Sequence, residues 1–134
     1  MKFKIGYVAG KFRGKTPWEV HQNVIKAEEL SFKIAELGVM PLCPHKMTEN
    51  FDKLFTDEFW LEGTKELLRR CDFVILVDGW KDSQGTLGEI AEADRLKIPV
   101  FLNIADLQKW LKEEESLSIF PPNKKFIIDN IPKE

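Results

Sequence analysis

The chain has 134 residues, of which 43% are hydrophobic and 31% charged, with a net charge of -2 at pH 7. That length and composition fit one domain with its own apolar core, and the near-balanced charge argues against a basic surface for a nucleic-acid polymer. No apolar run reaches the length of a membrane span, and the opening residues MKFKIGYVAG lack a secretory signal pattern, so no membrane partner is expected.

A single domain over 1–134 is expected, with a core over 1–115 and a tail over 116–134 that is a candidate interface segment. Cys43 and Cys71 stand in or beside apolar runs. They are expected to be reduced core residues of a cytoplasmic protein.

Residues 3–9 form a β-branched and aromatic run that stops at Gly10, which predicts a strand. Thr16-Pro17-Trp18-Glu19 predicts a helix start: Thr16 caps, Pro17 suits the first helical position, and Glu19 reaches back as in a capping box. Val20, Val24, Ala27, Ile34 and Leu37 continue at helical spacing, and Gly38 is placed to end the helix. A second short strand is expected over 39–42, stopped by Pro44, and residues 45–55 read as loop. Residues 57–70 predict a helix with Trp60, Leu61, Leu67 and Leu68 in the core. The continuous apolar run 73–77 predicts a strand covered on both faces. A helix over 85–96, a buried strand over 99–102 and a helix over 104–115 follow, and residues 124–129 are read as a last strand or a segment that packs on a partner.

Alternating strands and helices predict a parallel sheet with right-handed crossovers, whose ligands bind beyond the carboxyl ends of the strands. Three segments meet there: 7–14, 43–45 and 78–89. Glu89 is the leading chemical group. A helix N-terminus favours an ionised carboxylate, which in a partly dry crevice is a nucleophile toward an electrophilic carbon. An ordinary solvent-facing helix residue, as expected for Glu92, suits the same position. Ser83, Gly85 and Gly88 would let backbone N–H groups approach a phosphate, or Ser83 is simply the helix cap. Tyr7 is the sole tyrosine against ten phenylalanines, so its hydroxyl points to a hydrogen-bonding task. Arg13, in the Gly-flanked run that begins at Gly10, is a phosphate ligand or a solvated surface group. His45 contacts substrate or holds structure, and Trp80 stacks on a base or anchors its loop. The Cys and His spacings make no zinc site, and there is no Walker A loop or dinucleotide fingerprint, so neither metal nor cofactor is expected.

Tyr7-Val8-Ala9-Gly10 with Arg13, Pro44-His45, Cys71-Asp72 and Ser83-x-Gly85-x-x-x-Glu89 together resemble the nucleoside 2-deoxyribosyltransferase superfamily over roughly residues 7–102. Within it, the Tyr–Arg and Ser–Glu spacings are most similar to the 2′-deoxynucleoside 5′-phosphate N-hydrolases. The resemblance implies a Rossmann-like or flavodoxin-like three-layer α/β sandwich with a parallel central sheet. It implies that Glu89 attacks the anomeric carbon of a nucleotide or nucleoside, that Tyr7 orients Glu89, and that a covalent glycosyl ester is then resolved by water or a second base. Arg13, Ser83 and the helix amides around Gly85 would hold the 5′-phosphate, with Gly10, His45 and Trp80 also lining the substrate. Ser83 stands where many transferases of free nucleosides carry Asp, which implies a nucleoside 5′-monophosphate. The family's Asp eight residues before Asp72 is Thr64 here, and Asp57, two helical turns earlier, is the expected substitute. The resemblance also implies a homodimer or larger assembly. Two other readings stay open: a catalytically silent nucleotide-binding or sensor protein on the same fold, and a phosphoribohydrolase of the cytokinin-activating kind, for which Ser83-Gln84-Gly85-Thr86 is a poor match.

Overall fold

The computed structural model describes residues 3–48, 51 and 53–114. The first strand, β1 (Ile5–Ala9), is followed by a long helix, α1 (Pro17–Glu36), capped by the Thr16 side chain, which accepts from the Glu19 N–H at 3.2 Å. Glu19 reaches back one residue further than a capping box does, accepting from the Lys15 N–H at 2.5 Å. Gly38, at φ 87°, takes the left-handed position after α1 that glycine occupies without strain.

The second strand, β2 (Met40–Leu42), runs straight into a one-turn helix, α2 (Pro44–Thr48), where the sequence predicted loop. Thr48 donates its hydroxyl to the Pro44 carbonyl at 3.0 Å, a local bond that closes the turn. A longer helix, α3 (Asp57–Leu68), is capped by Thr56 and buries only Leu68 fully. Of its other expected core residues, Leu67 is half-buried against the core, Trp60 is half-buried, and Leu61 is exposed. The apolar residues at the N-terminal end of α3 meet one another instead: the Phe55 and Phe59 rings stack at 4.3 Å, and Trp60 stands edge-on to Phe59 at 5.0 Å.

The central strand, β3 (Phe73–Leu76), is buried throughout, as its unbroken apolar run requires. Asp72, just ahead of it, accepts from the Ile5 N–H at 2.8 Å and so ties the start of β1 to β3. A single 3-10 turn (Trp80–Asp82) leads into α4 (Gln84–Arg95). The expected buried strand after it is a two-residue, half-buried edge strand, β4 (Val100–Phe101), and α5 (Ile104–Glu113) follows. Among the described strands β4 has one neighbour, β3, and its residues are half-buried. The tail over 116–134, including the expected element at 124–129, lies outside the described residues.

All the strand pairs are parallel, in the order β2-β1-β3-β4. The chain moves outward from β1 to β2, then crosses back over β1 to β3 and on to β4. Right-handed crossovers in opposite directions put their helices on opposite faces. One core cluster therefore joins Val8, Phe73 and Ile75 to residues of α1 and α5, and the other joins Tyr7, Val74 and Leu76 to residues of α3 and α4. This is a three-layer, Rossmann-like or flavodoxin-like α/β sandwich. The direction of travel reverses between β1 and β3, where such sheets open a crevice at their carboxyl ends.

The contact between those two strands is tight. A Cβ on Gly6 would stand 2.3 Å from the tip of the Phe73 ring, which itself packs edge-on to Phe101 and Trp110. Gly63, on the outer face of α3, has nothing within 4 Å of the same position. Urea denaturation should therefore separate two identical changes. Gly6→Ala is expected to lower stability by about 1–3 kcal/mol through overpacking. Gly63→Ala is expected to raise it by about 0.5–1 kcal/mol through helix propensity.

Candidate active site

Strand alternation decides which way Tyr7 faces. Val8 turns toward α1 and α5, so Tyr7 turns toward α3 and α4. Its side chain is 1% exposed, and its hydroxyl donates to Oε2 of Glu89, a residue 82 positions later in the chain. Glu89 lies in the second turn of α4 and is 8% exposed. The sequence predicted an ionised carboxylate held by the helix N-terminus. The structure corrects this: burial pushes the Glu89 carboxyl up to about 7, against the pull of the Tyr7 hydrogen bond and the nearby Lys65 charge. The dipole of a helix acts within its first turn, and Glu89 lies past it. Burial, the negative charge of Glu89 and the hydrogen bond to it together raise the Tyr7 phenol far above its ordinary value. Tyr7 is therefore a hydrogen-bond donor, never a base.

Two residues of α3 complete this group. The Thr64 hydroxyl donates to the Leu61 carbonyl at 3.1 Å and stands close enough to Tyr7 to oppose the rise in the phenol's pKa. Lys65, the next residue, lays the end of its stem over Gly88: its Cε and Nζ would be 3.7 and 3.9 Å from a Cβ placed there. Thr64 thus stands inside the site, at the position where the resembling family has an acid. Lys65 was missed by the sequence reading. The available signal was its place beside Thr64, on a helix that had to face the strand carrying Tyr7.

Ser83 is the N-cap of α4, accepting from the Thr86 N–H at 3.2 Å and from the Thr86 hydroxyl at 2.9 Å. Accepting twice leaves its own O–H as a donor. Gly85 brings α4 close to α3, since a Cβ there would be 3.1 Å from the Leu61 side chain. Trp80 is half-buried and packs against the core cluster that contains Tyr7, with the Lys81 ammonium 5.6 Å from its ring centre. That is the anchoring arrangement of the two expected for Trp80.

Arg13 and Asp57 come together at 2.7 Å, both well exposed. Asp57 begins α3, two turns or roughly 10 Å along the helix from Thr64. As an exposed ion pair this contact contributes little to stability, but it closes the space between the loop after β1 and the start of α3. His45 is buried and holds that same loop from beneath: its Nε2 donates to the Lys11 carbonyl at 3.0 Å, and Phe12 packs edge-on to its ring. Burial lowers its pKa, so the ring is neutral, and its buried Nδ1 has no partner among the described residues. Gly10 permits the loop to leave β1 beside Val77, whose Cβ would be 2.6 Å from a Cβ at Gly10. A groove of about 610 Å³ runs beside the loop, lined by Lys11, Arg13, Lys15, Trp18 and Lys26 among others, and neither Tyr7 nor Glu89 borders it.

Glu92 is also corrected. It is not a free solvent-facing residue, because Arg69 and Arg95 grip it at 2.7 and 2.6 Å. Cys43 and Cys71 are free thiols, both buried. No cluster of three or more metal-ligating side chains occurs among the described residues. No helix among them is long and apolar enough to cross a membrane.

The molecule is thus a parallel α/β protein with a buried Tyr–Glu pair at the junction of its two central strands. The family model described as "Domain of unknown function (DUF7768)" matches residues 4–103, and the chain belongs to that family. The matched span runs from β1 to just past β4, so it contains every residue of the site. No curated protein matches the chain.

Holding an acid at about 7 when its ordinary value is 4.5 has a cost that depends on pH. The folded state keeps the Glu89 proton over a range where the unfolded chain has lost it. The stability linked to this proton is whole below about 4.5 and is lost as pH rises through about 7. Glu89→Gln is therefore expected to be more stable than the parent at pH 8, by on the order of 2–3 kcal/mol, and equal to it near pH 4. Urea denaturation at the two pH values measures this, and a difference independent of pH would contradict it.

Proposed function

We propose that the protein cleaves the N-glycosidic bond of nucleoside 5′-monophosphates, as a hydrolase or a deoxyribosyltransferase, through a covalent ester to Glu89. The observation that carries this reading is the hydrogen bond from Tyr7, in the middle of β1, to Glu89, in the second turn of α4. A carboxyl that titrates near 7 is ionised in about half the molecules at neutral pH, and each ionised group is poorly solvated and so more nucleophilic.

In the first step an oxygen of Glu89 bonds to the anomeric carbon as the carbon–nitrogen bond breaks, and the bonding electrons leave with the base, which takes a proton from water. The transition state is oxocarbenium-like, and the ester keeps the sugar on the enzyme. In the second step water, or a second base, attacks the same carbon from the opposite face. Glu89 departs as a carboxylate and the attacking group gives up its proton. Two inversions retain the configuration. Tyr7 donates to one oxygen of Glu89 and leaves the other for attack. Ser83 keeps a free O–H for a phosphate oxygen at the N-terminus of α4, which is itself favourable for an anion. Arg13 lies at the rim, where it can exchange Asp57 for the phosphate. Buried free thiols suit a cytoplasmic setting, and a homodimer or larger assembly belongs to the same proposal.

A catalytically silent nucleotide-binding protein is the second reading. It is favoured by the burial of Glu89, which is only 8% exposed. Incubation with a panel of ribo- and deoxynucleoside monophosphates, followed by chromatography for free base, separates the two. The expected result is base release, abolished in Glu89→Ala and lowered at least about tenfold in Tyr7→Phe. Nucleotide binding without release selects the silent reading. Ser83→Asp is expected to weaken monophosphate binding more than nucleoside binding, measured by isothermal titration, because a carboxylate repels the phosphate.

A further inference from the structure

Two cations and two carboxylates face one another between α3 and α4. Lys65 and Arg69 are one turn apart on α3. Glu89 and Glu92 are one turn apart on α4. The two helices each connect parallel strands, so they run in the same direction and the pairs align in order. The second rung is closed: Arg69 holds Glu92 at 2.7 Å. The first is open, because Glu89 turns inward to Tyr7 while Lys65 lies over Gly88, the residue next to Glu89. The ion pair recorded for Lys65 is a loose one, with Glu62 of its own helix at 3.7 Å, and its side chain is 28% exposed.

We propose that Lys65 is the positioning residue of the site: its ammonium is the counter-charge that keeps the buried Glu89 carboxylate available for attack, standing on α3 beside the Thr64 hydroxyl. The use of that charge in catalysis rests on the glycosidase reading, while the charge pairing itself does not. A Cβ at Gly88 would make only ordinary van der Waals contact with the end of the lysine stem, so the arrangement asks for a small residue there. The other groups that bear on Glu89 are named easily. Tyr7 on β1 donates to it, Thr64 on α3 stands beside Tyr7, and Cys71 ahead of β3 adds a weak repulsion to Tyr7. Glu62 competes for Lys65, and Arg69 is committed to Glu92 and Glu66. Lys65 is the cation whose field lowers the Glu89 pKa against burial.

The test is a titration of the full-length protein labelled at the glutamate side-chain carboxyls with carbon-13, with the Glu89 signal assigned by its loss in Glu89→Gln. In Lys65→Met the ratio of ionised to neutral Glu89 at pH 7 should fall about three- to tenfold, a midpoint higher by about half to one pH unit. Lys65→Arg should restore it. Glu62→Gln, which frees Lys65 and leaves its stem in place, should move the midpoint the other way. A purely structural lysine would change stability and leave the midpoint alone. A Glu89 midpoint unmoved in both Lys65→Met and Glu62→Gln, with circular dichroism unchanged, overturns the proposal. Where base release is measured, the acid limb of kcat/KM should follow the same shifts, and a fixed limb beside a shifted midpoint overturns the catalytic use of the charge. A wild type that releases no base removes the glycosidase reading alone, because the titration does not depend on turnover.

Discussion

The hydrogen bond between Tyr7 and Glu89 is the constraint on which the site depends. It joins the middle of the sheet to the second turn of α4 across the layer that holds α3 and α4. A carboxyl brought this far into an apolar layer must be satisfied by a donor or be neutral. Tyr7 supplies the donor, and burial brings the acid close to neutrality. The phenol cannot release its proton in that setting, so the pair keeps one fixed polarity, hydroxyl to carboxyl. The interaction that orients Glu89 is thus also the one that prevents Tyr7 from acting as a base.

Close packing at a few glycines makes this geometry reachable. Gly6 lets the Phe73 ring lie across β1 on the α1 and α5 face, and Gly10 lets the chain leave β1 against Val77, just past the neighbouring strand. Gly85 lets α4 approach Leu61 of α3. Each contact would be tighter than a Cβ tolerates or at its limit. Gly85 draws α4 against α3, while Gly6 and Gly10 seat β1 tightly against its neighbour on the opposite face. His45 acts from the other side, fixing the loop after β1 through the Lys11 carbonyl and so setting where Arg13 emerges to meet Asp57. The rim is mobile in principle, because its ion pair is exposed and cheaply exchanged, whereas the floor is packed and dry.

The sequence made the architecture readable where the pattern is local and strong. The capped start of α1, its glycine stop at Gly38 and the unbroken apolar run of β3 all occur as expected. It failed where tertiary position decides. Residues 45–48 carry no helical period long enough to see, yet Pro44 and a Thr48 side-chain bond close a turn there. The apolar run over 99–102 looks like an interior strand, and only the strand order reveals that β4 is an edge. At the site, Tyr7 stood out as the sole tyrosine, whereas Glu89 read equally as an ordinary helix residue and Ser83 as an ordinary helix cap, which it is. The direction of the Glu89 pKa was misjudged because a helix position is readable from sequence and a burial depth is not. Lys65 was invisible for the same reason: a lysine on a charged helix looks like a solvated one until the neighbouring helix is placed.

Thr64 and Lys65 bear on what this site would ask of a ligand. A hydroxyl and an ammonium next to the Tyr–Glu pair differ chemically from a carboxylic acid there. A carboxylic acid gives up a proton to a leaving group, while an ammonium stabilises negative charge in place. Under the glycosidase reading proposed above, the second arrangement would favour a base that departs with its electron pair and carries that charge well over one that must be protonated before it leaves. The same ammonium opposes the desolvation that holds Glu89 near neutrality. One cation on α3 would then serve both ends of the breaking bond, raising the fraction of attacking carboxylate and favouring an anionic leaving group. The fold bears the cost, because a carboxyl kept at about 7 in the α3–α4 layer destabilises it most at the pH where the carboxylate is most populated.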